Sequence, residues 1–229
     1  MYILYNIRSM ERREIILIDK PKGMSSFDII RFLRKKTGAK RGSAGWRMGH
    51  SGTLDPLATG LMIIGVDAGT KKLKELIGLP KTYEASVLLG VRTATGDLEG
   101  EILESKKVTD LDIKKAKEVV DNLKGKLFLR VPIYSAVKVK GERLYKLARA
   151  GKQVNPPEKE MEVLNVVFKR CSKSESCYVL ELVLEVTSGT YIRSIAEEIG
   201  RKLGFPATLS KLRRTKIGKY KIEDAVKLD

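Results

Sequence analysis

The stretch GHSGTLDPLATG, residues 49–60, holds the residue types in this 229-residue chain that are best suited to chemistry. It contains the only histidine, His50, and, five residues later, Asp55. An aspartate before proline commonly starts a turn or a helix, because its carboxylate caps free backbone N–H groups. Three glycines in the same stretch, however, allow close approach of a ligand. In such a loop Asp55 could equally act as a nucleophile or a general base.

Arg193 stands out by its position near the start of a helix predicted over 190–204. A helix N-terminus disfavours a cation by about 0.3–1 kcal/mol, so we expect a compensating carboxylate or phosphate nearby. Other candidates have ordinary structural interpretations. Tyr83 suits sheet packing in a predicted strand, and Lys20, in DKPKG, is either structural or a phosphate contact.

Cations cluster in three places along the chain. Arg143, Lys146 and Arg149 recur every three residues on a short predicted helix, and Lys138, Lys140 and Lys152 extend the same patch. The second cluster contains Lys211, Arg213, Arg214 and Lys216. The third contains Arg34, Lys35, Lys36, Lys40, Arg41 and Arg47. Each cluster is either a solvated surface or a set of phosphate contacts, which would give affinity but little sequence choice.

The overall charge favours the phosphate interpretation. Lys plus Arg number 45 against 28 for Asp plus Glu, a net charge of +17, which suits a polyanion such as nucleic acid. Hydrophobic residues make up 42% of the chain, as in globular proteins. No apolar run reaches the roughly 18 residues of a membrane span, and the N-terminus does not resemble a secretory signal. We therefore expect a cytoplasmic protein with no membrane contact.

Cys171 and Cys177 flank the predicted turn SKSES, so a cross-strand disulfide is geometrically possible. Two free thiols are the expectation in a reducing cytosol. With one distant histidine the cysteines do not have zinc-site spacing, and no metal is expected.

The elements that must position these residues follow from hydrophobic periodicity. Strands are predicted over 14–23, 61–66, 81–90, 158–171, 177–187 and 215–221, with extended chain over 129–141. Helices are predicted over 25–38, 68–78, 109–125, 142–151 and 190–204. The first helix is capped by Ser25 or Ser26 and ends at Gly38, with Phe27, Ile30 and Leu33 on one face. The third has Thr109 and Asp112 as a capping pair.

The order of these elements predicts the fold class. Hairpin-like neighbours without a strict βαβ alternation indicate α+β, with a mixed, largely antiparallel central sheet flanked by helices. We expect one domain over 14–229 after an extension of residues 1–13. A long, basic, glycine-rich loop over 39–53 stands before Asp55, and loops of that length are commonly functional. Its Trp46 either stacks on a nucleotide or anchors the loop.

The motif GHSGTLDPLATG resembles the catalytic motif of the TruB family of tRNA pseudouridine synthases. DKPKGMSS (19–26) and KTYEASVLLG (81–90) resemble two further motifs of that family. VPIYSAVKVKGERLYKLARAG (131–151) is similar to its RNA-gripping insertion, and SGTYIRSIAEEIG (188–200) and LSKLRR (209–214) to its last motifs. In order, these stretches cover most of 14–220, so chance is a poor explanation.

The resemblance implies isomerisation of uridine 55 in the TΨC loop of tRNA to pseudouridine, on a pseudouridine synthase fold. Asp55 would be catalytic and would start glycosidic bond cleavage, after which the uracil rotates and rejoins the ribose through C5. Arg193 would pair with Asp55, lowering the pKa of that carboxyl. His50 would help to displace or hold the flipped nucleotide, and Tyr83 would stack on the target base.

The resemblance also assigns the remaining residues and partners. Tyr191 and Leu212 would line the pocket, Lys20 would lie beside it, and a thumb at about 129–157 would grip the T arm through its cations. The reaction implies no cofactor, and we expect a monomer. Many members of the family carry a C-terminal PUA domain, whereas this chain stops at Asp229. We therefore expect weaker binding to the parts of the tRNA beyond the T arm.

Two alternatives to a stand-alone tRNA enzyme are considered. One is a relative of the guide-RNA-dependent (H/ACA-type) pseudouridine synthases, although PLATG is closer to the stand-alone type. The other is a tRNA-binding chaperone without catalysis. A pure binder would not need Asp55, Tyr83 and Arg193 together, which argues against it.

Overall fold

In a computed structural model, residues 14–228 of the chain are described. The strands are β1 (Ile15–Lys20), β2 (Met48–His50), β3 (Thr59–Val66), β4 (Lys81–Leu89), β5 (Val91–Thr93), β6 (Ile102–Ser105), β7 (Gly125–Arg130), β8 (Lys138–Val139), β9 (Glu142–Arg143), β10 (Glu158–Ser174), β11 (Cys177–Val186), β12 (Ala207–Ile217), β13 (Tyr220–Lys221) and β14 (Val226–Lys227). The α-helices are α1 (Ser26–Thr37), α2 (Leu73–Gly78), α3 (Ile113–Asp121), α4 (Leu144–Arg149) and α5 (Ile192–Leu203). Two 3-10 helices cover Asp67–Lys72 and Ile222–Asp224. The predicted extension, residues 1–13, lies outside the described part.

The chain divides into two compact units, one of residues up to Tyr83 together with those from Arg213 onward, the other Glu84–Leu212. In the first unit β3 pairs antiparallel with β1 and β2 and parallel with residues 213–214 of β12, while β14 lies parallel to β1. Leu61, Ile63, Leu73, Leu76 and Ile217 form a buried cluster that anchors α2 against this sheet.

In the second unit the strands lie in the order β4-β11-β10-β7. The strand β10 pairs antiparallel with both of its neighbours, β11 and β7. Every second residue of β11 is buried, from Tyr178 to Val186, as a strand with one face in the core requires. The apolar face of α5 is buried along its whole length and comprises Ile192, Ile195, Ala196, Ile199 and Leu203. The helix α3 packs against α5 and β10. The predicted fold class, mixed and largely antiparallel α+β, is confirmed. Within the described residues, no helix combines the length and the apolar character that a membrane crossing needs.

Local capping rules predicted the helices well. Ser25 and Asp28 form a capping box at the start of α1, and Gly38 ends it in the left-handed conformation. α3 is shorter than predicted because Asp112, not Thr109, caps it. The first half of the predicted 68–78 helix is 3-10, and β12 begins eight residues before the predicted strand. Cys171 and Cys177 are free, as expected, since they pair in register with Leu180 and Ser174 rather than with each other.

One core prediction is wrong. Phe27 was placed on the buried face of the first helix with Ile30 and Leu33, but its side chain is 65% exposed, and Ile29 takes its place in the core. The error follows from the helical period, because the buried positions Ser26, Ile29, Ile30 and Leu33 repeat as i, i+3, i+4 and i+7, and Phe27 lies outside that face.

Candidate active site

Asp55 sits in the connection between β2 and β3, and the backbone on both sides of it is fixed. The hydroxyl of Ser26 accepts from the Leu54 N–H at 2.8 Å and donates to the Leu54 carbonyl at 3.1 Å. The Pro56 carbonyl accepts from the Gly23 N–H at 2.8 Å, and the Asp55 carbonyl accepts from the Ala58 N–H. Asp55 therefore starts a turn, its side chain is half-buried, and Gly23 and Ser26 hold the backbone on either side of it.

Lys20 is fully buried at the end of β1, directly behind this turn. Its Nζ donates to the Met24 carbonyl at 2.6 Å and the Pro21 carbonyl at 2.9 Å, with the Pro56 carbonyl at 3.5 Å. A buried ammonium needs such acceptors to offset its desolvation. Of the two interpretations of Lys20, these contacts support the structural one.

Arg214 corrects a prediction. It was assigned to a surface that contacts phosphate, but it is only 1% exposed, so its guanidinium does not face solvent. Its Nε donates to the Leu61 carbonyl at 2.7 Å and its Nη2 to the Gly52 carbonyl at 3.0 Å. Arg214 thus fastens the loop that carries His50 and Asp55 to the sheet. A Cβ on Gly60 (φ 109°) would stand 2.3 Å from the Arg214 carbonyl oxygen, so this register requires glycine.

Arg213, the neighbouring predicted phosphate contact, is half-buried. Its guanidinium holds the Asp19 carboxylate with both ends of its fork, at 3.0 and 2.7 Å. The Asp19 side chain is 12% exposed, which makes the pair stronger than a solvated one.

His50 lies at the end of β2, half-buried, with its ring against that of Phe27. The ring centroids are 5.9 Å apart in a T-shaped contact, and Nδ1 accepts from the Gly52 N–H at 3.4 Å. Burial, and then the nearby Arg214 guanidinium, lower the pKa of His50 below its usual value. His50 is therefore a neutral imidazole at pH 7.

Lys81 is a buried cation that sequence reasoning missed. Its Nζ donates to the carbonyls of Ile77 and Leu79 at 2.8 and 2.7 Å. Burial, and then the charge of Arg214, lower the pKa of Lys81 to about 8. Gly52 packs against the side chains of Lys81 and Arg214, so two cations lie against the loop that contains His50 and Asp55. Nothing in the sequence marks Lys81, because its burial and the nearness of Arg214 arise only in the tertiary fold.

Tyr83 and Leu212 were both predicted to line the pocket. Tyr83, in β4 of the first unit, is 7% exposed, and Leu212, in β12 of the second unit, is half-buried. The burial of each side chain agrees with the sheet-packing interpretation.

In the second unit, Arg193 lies buried in the first turn of α5. Its Nη1 donates to the Thr95 carbonyl at 2.7 Å and its Nη2 to the Tyr134 carbonyl at 3.0 Å. Gly96 permits the close approach, since a Cβ there would stand 3.3 Å from that of Arg193. The unfavourable position at the helix start is thus offset in part by carbonyl oxygens. Tyr191, which caps α5, is half-buried, with its N–H against the sulfur of Met161.

The predicted thumb carries its cations on the surface. β8 and β9 form a hairpin that leads into α4, which is anchored by the fully buried Leu144. All six predicted phosphate contacts of the thumb are exposed: Lys138, Lys140, Arg143, Lys146, Arg149 and Lys152.

The basic loop before Asp55 is held by two contacts. The Arg34 guanidinium lies 4.4 Å over the Trp46 ring and donates to its carbonyl. The Asp67 carboxylate accepts from the N–H groups of Gly45 and Arg47. These contacts support the anchoring interpretation of Trp46. Across the described residues, no group of three or more His, Cys, Asp or Glu side chains gathers as metal ligands do.

Comparison with known proteins covers nearly the whole chain. Residues 34–192 match the TruB family pseudouridylate synthase N-terminal domain, and residues 193–229 match the tRNA pseudouridylate synthase B C-terminal domain. The tRNA pseudouridine synthase B of Aquifex aeolicus is 38% identical over 214 residues, 93% of this chain and 71% of the relative. That of Corynebacterium jeikeium is 37% identical over 228 residues, 96% of this chain and 71% of the relative.

Two solved structures share the fold. A Cbf5-Nop10-Gar1 complex aligns with a TM-score of 0.68 at 24% identity, over 97% of this chain and 54% of that one. An H/ACA RNP bound to a substrate RNA containing 2'-deoxyuridine aligns with a TM-score of 0.66 at 22% identity, over 96% and 53%. At these identities the likeness concerns the fold alone.

Proposed function

Because this chain belongs to the TruB family of pseudouridylate synthases, we propose that it converts uridine 55 in the TΨC loop of tRNA to pseudouridine. The observation that carries the proposal is the fixation of Asp55. Hydrogen bonds to Leu54 and Pro56 hold the backbone on either side of the carboxylate, which is the preorganisation that a catalytic group needs. The relatives' names supply tRNA as the substrate.

The proposed reaction exchanges one bond for another. The uridine leaves its stack, as base-modifying enzymes require. Asp55 then starts cleavage of the bond between N1 and C1′, by adding to the sugar or by taking a proton from it. The uracil turns, C5 bonds to C1′, the C5 proton is lost and N1 gains a proton. Product and substrate contain the same atoms, so the reaction consumes no oxidant or reductant, and no cofactor is proposed.

His50 is proposed to help displace or hold the flipped nucleotide. Its lowered pKa supports this role, because a neutral ring stacks beside a base without a charge to solvate. Tyr83 is proposed to stack on the target base, since a ring face holds uracil while allowing rotation in its plane.

Arg193 is proposed to pair with Asp55 and keep it ionised, as the family resemblance implies. Its burial supports the role, because a buried guanidinium strengthens any charge interaction it makes. Tyr191 and Leu212 are proposed to line the pocket, with Lys20 supporting it from behind.

The T arm is proposed to bind through the exposed cations of the thumb, with Arg213 as a further contact. The net charge of +17 and the exposure of all six thumb cations support this surface. The active species is proposed to be a cytoplasmic monomer, and sedimentation equilibrium of the free protein checks the monomer.

A T-arm stem-loop transcript tests the proposal directly. The wild type, Asp55→Asn and the control Asp110→Asn, an exposed aspartate of the second unit, are each incubated with the transcript, and pseudouridine is mapped by carbodiimide primer extension. We expect conversion of the loop uridine by the wild type and the control, and binding without conversion by Asp55→Asn. No guide RNA or partner protein is added, so conversion also excludes guide dependence. Tight binding by all three without conversion would instead support a chaperone.

A further inference from the structure

Among the described residues of the first unit, Phe27 is the most exposed aromatic side chain, and it has no part in the function proposed above. It is the second residue of α1 and is 65% exposed. Its ring meets the His50 ring at 86°, with the centroids 5.9 Å apart. In a T-shaped contact at least one face of the Phe27 ring stays open, in agreement with its exposure.

The place of Phe27 distinguishes it from other exposed apolar residues. Single exposed hydrophobic side chains are common in proteins, and Phe128 on β7 is 69% exposed. Phe27, however, is tied to the Asp55 loop at two points. Its neighbour Ser26 binds both backbone groups of Leu54, and its own ring contacts His50. The open ring face therefore lies beside the loop that carries the proposed catalytic group.

The surroundings of Phe27 indicate the chemistry of a ligand. Arg31 lies one helical turn further on and is 71% exposed, although it also pairs with Asp28. An open aromatic face next to a cation suits a nucleotide, because the base stacks on the ring and the phosphate meets the charge. Burial and the nearby Arg214 lower the pKa of His50, which favours its neutral ring, so that ring extends the apolar surface beside Phe27.

We propose that Phe27 and His50 form an aromatic shelf on which a nucleobase of the RNA stacks after the target uridine has left the loop. The shelf rests on the proposed function, since it requires an RNA with an opened loop. The ligand is one unpaired base, either the target uracil on its way to Asp55 or a neighbour that has lost its stacking partner. Phe27 supplies the ring face, and the contact with His50 holds that ring in place.

The test compares Phe27→Ala with Phe128→Ala, a substitution of an equally exposed phenylalanine far along the chain. Both are made in the wild type and in the Asp55→Asn background, so that binding is measured without turnover. The RNA is the T-arm stem-loop with 2-aminopurine placed at single loop positions. Thermal unfolding of each variant checks that an exposed substitution leaves the fold intact.

We expect Phe27→Ala to weaken RNA binding about 5- to 150-fold, the range that aromatic–base stacking gives, and to abolish the fluorescence quenching of one 2-aminopurine. Phe27→Tyr should retain both, whereas Phe27→Leu should retain neither, because leucine is apolar but has no ring face. Phe128→Ala should bind as the parent does.

Equal affinity and equal quenching for Phe27→Ala and Phe128→Ala, with uridine conversion intact, would overturn the shelf and leave the proposed function standing. Full rescue by Phe27→Leu would also overturn it, because the effect would then be apolar packing. Failure of the wild type to bind or convert the RNA would instead remove the proposed function, and the shelf with it.

Discussion

Replacing Ser26 by alanine should show whether hydrogen bonds from α1 position the Asp55 loop, independently of the stability of α1 itself. The Ser26 hydroxyl is 2% exposed and bonds both the N–H and the carbonyl of Leu54, which is 3% exposed. Ser26→Ala leaves two buried polar groups without this partner, at about 1–3 kcal/mol each, so we expect a loss of about 2–6 kcal/mol in the free energy of unfolding. The neighbouring Ser25→Ala is a matched control, because it removes an N-cap worth about 0.5–2 kcal/mol without touching Leu54.

The two serine variants should differ more in activity than in stability. A loosened loop misplaces the Asp55 carboxylate, and a displacement of about 1 Å costs on the order of 100-fold in rate. The assays are urea unfolding and single-turnover pseudouridine formation with the T-arm transcript. We expect the rate of Ser26→Ala to fall about 10- to 100-fold and that of Ser25→Ala to stay within about twofold. Equal rates for the two folded variants would refute the argument that Ser26 positions Asp55.

Three further outcomes follow from the described contacts. Gly60→Ala should prevent stable folding, measured by circular dichroism, because its Cβ would overlap the β12 backbone, whereas Gly23→Ala, also at positive φ but with nothing within 4 Å, should cost only local strain. Between pH 8 and 10.5 unfolded Lys81 holds a proton that the folded form has lost, so its contribution to stability rises with pH, and Lys81→Met should remove that rise in urea titrations. Neutralising Lys146 and Arg149 should reduce the slope of log affinity against log salt by about 0.7–0.9 per lost phosphate contact; an unchanged slope would contradict a phosphate-binding thumb.

The features that could be predicted from the sequence depend on neighbours along the chain. The capping box of Ser25 and Asp28, the end of α1 at Gly38 and the buried stripe of α5 each follow from residues within one or a few helical turns. The alternation of β11 follows from the strand period of two. Asp55 could be singled out for the same reason, because the glycines and the proline that shape its turn lie within the same twelve residues.

The features that could not be predicted depend on residues far apart in sequence. Arg214 reads as one of several exposed cations, but its acceptors, Leu61 and Gly52, lie 153 and 162 positions away. Lys81 is the first residue of an ordinary strand, and only the fold lowers its pKa, by burying the side chain and by placing it near Arg214. A charged residue type therefore predicts a surface correctly in the thumb, where local structure is short and solvated, and incorrectly at Arg214 of β12, where the sheet covers the side chain.

Arg193 shows that the position of a charged residue within its helix can be more informative than the residue type alone. Its place in the first turn of α5 violates the helix-dipole preference, and that violation is visible in the sequence. The structure supplies part of the compensation, because the carbonyls of Thr95 and Tyr134 accept hydrogen bonds from the Arg193 guanidinium. Both carbonyls lie in loops between the helices and strands. A residue that breaks a local rule needs tertiary partners to stabilise it, and those partners gather where a fold builds a site. Phe27 breaks a different rule, since a ring that stays 65% exposed beside the Asp55 loop gains little from folding beyond its contact with His50, and by the same argument we infer a partner outside the chain.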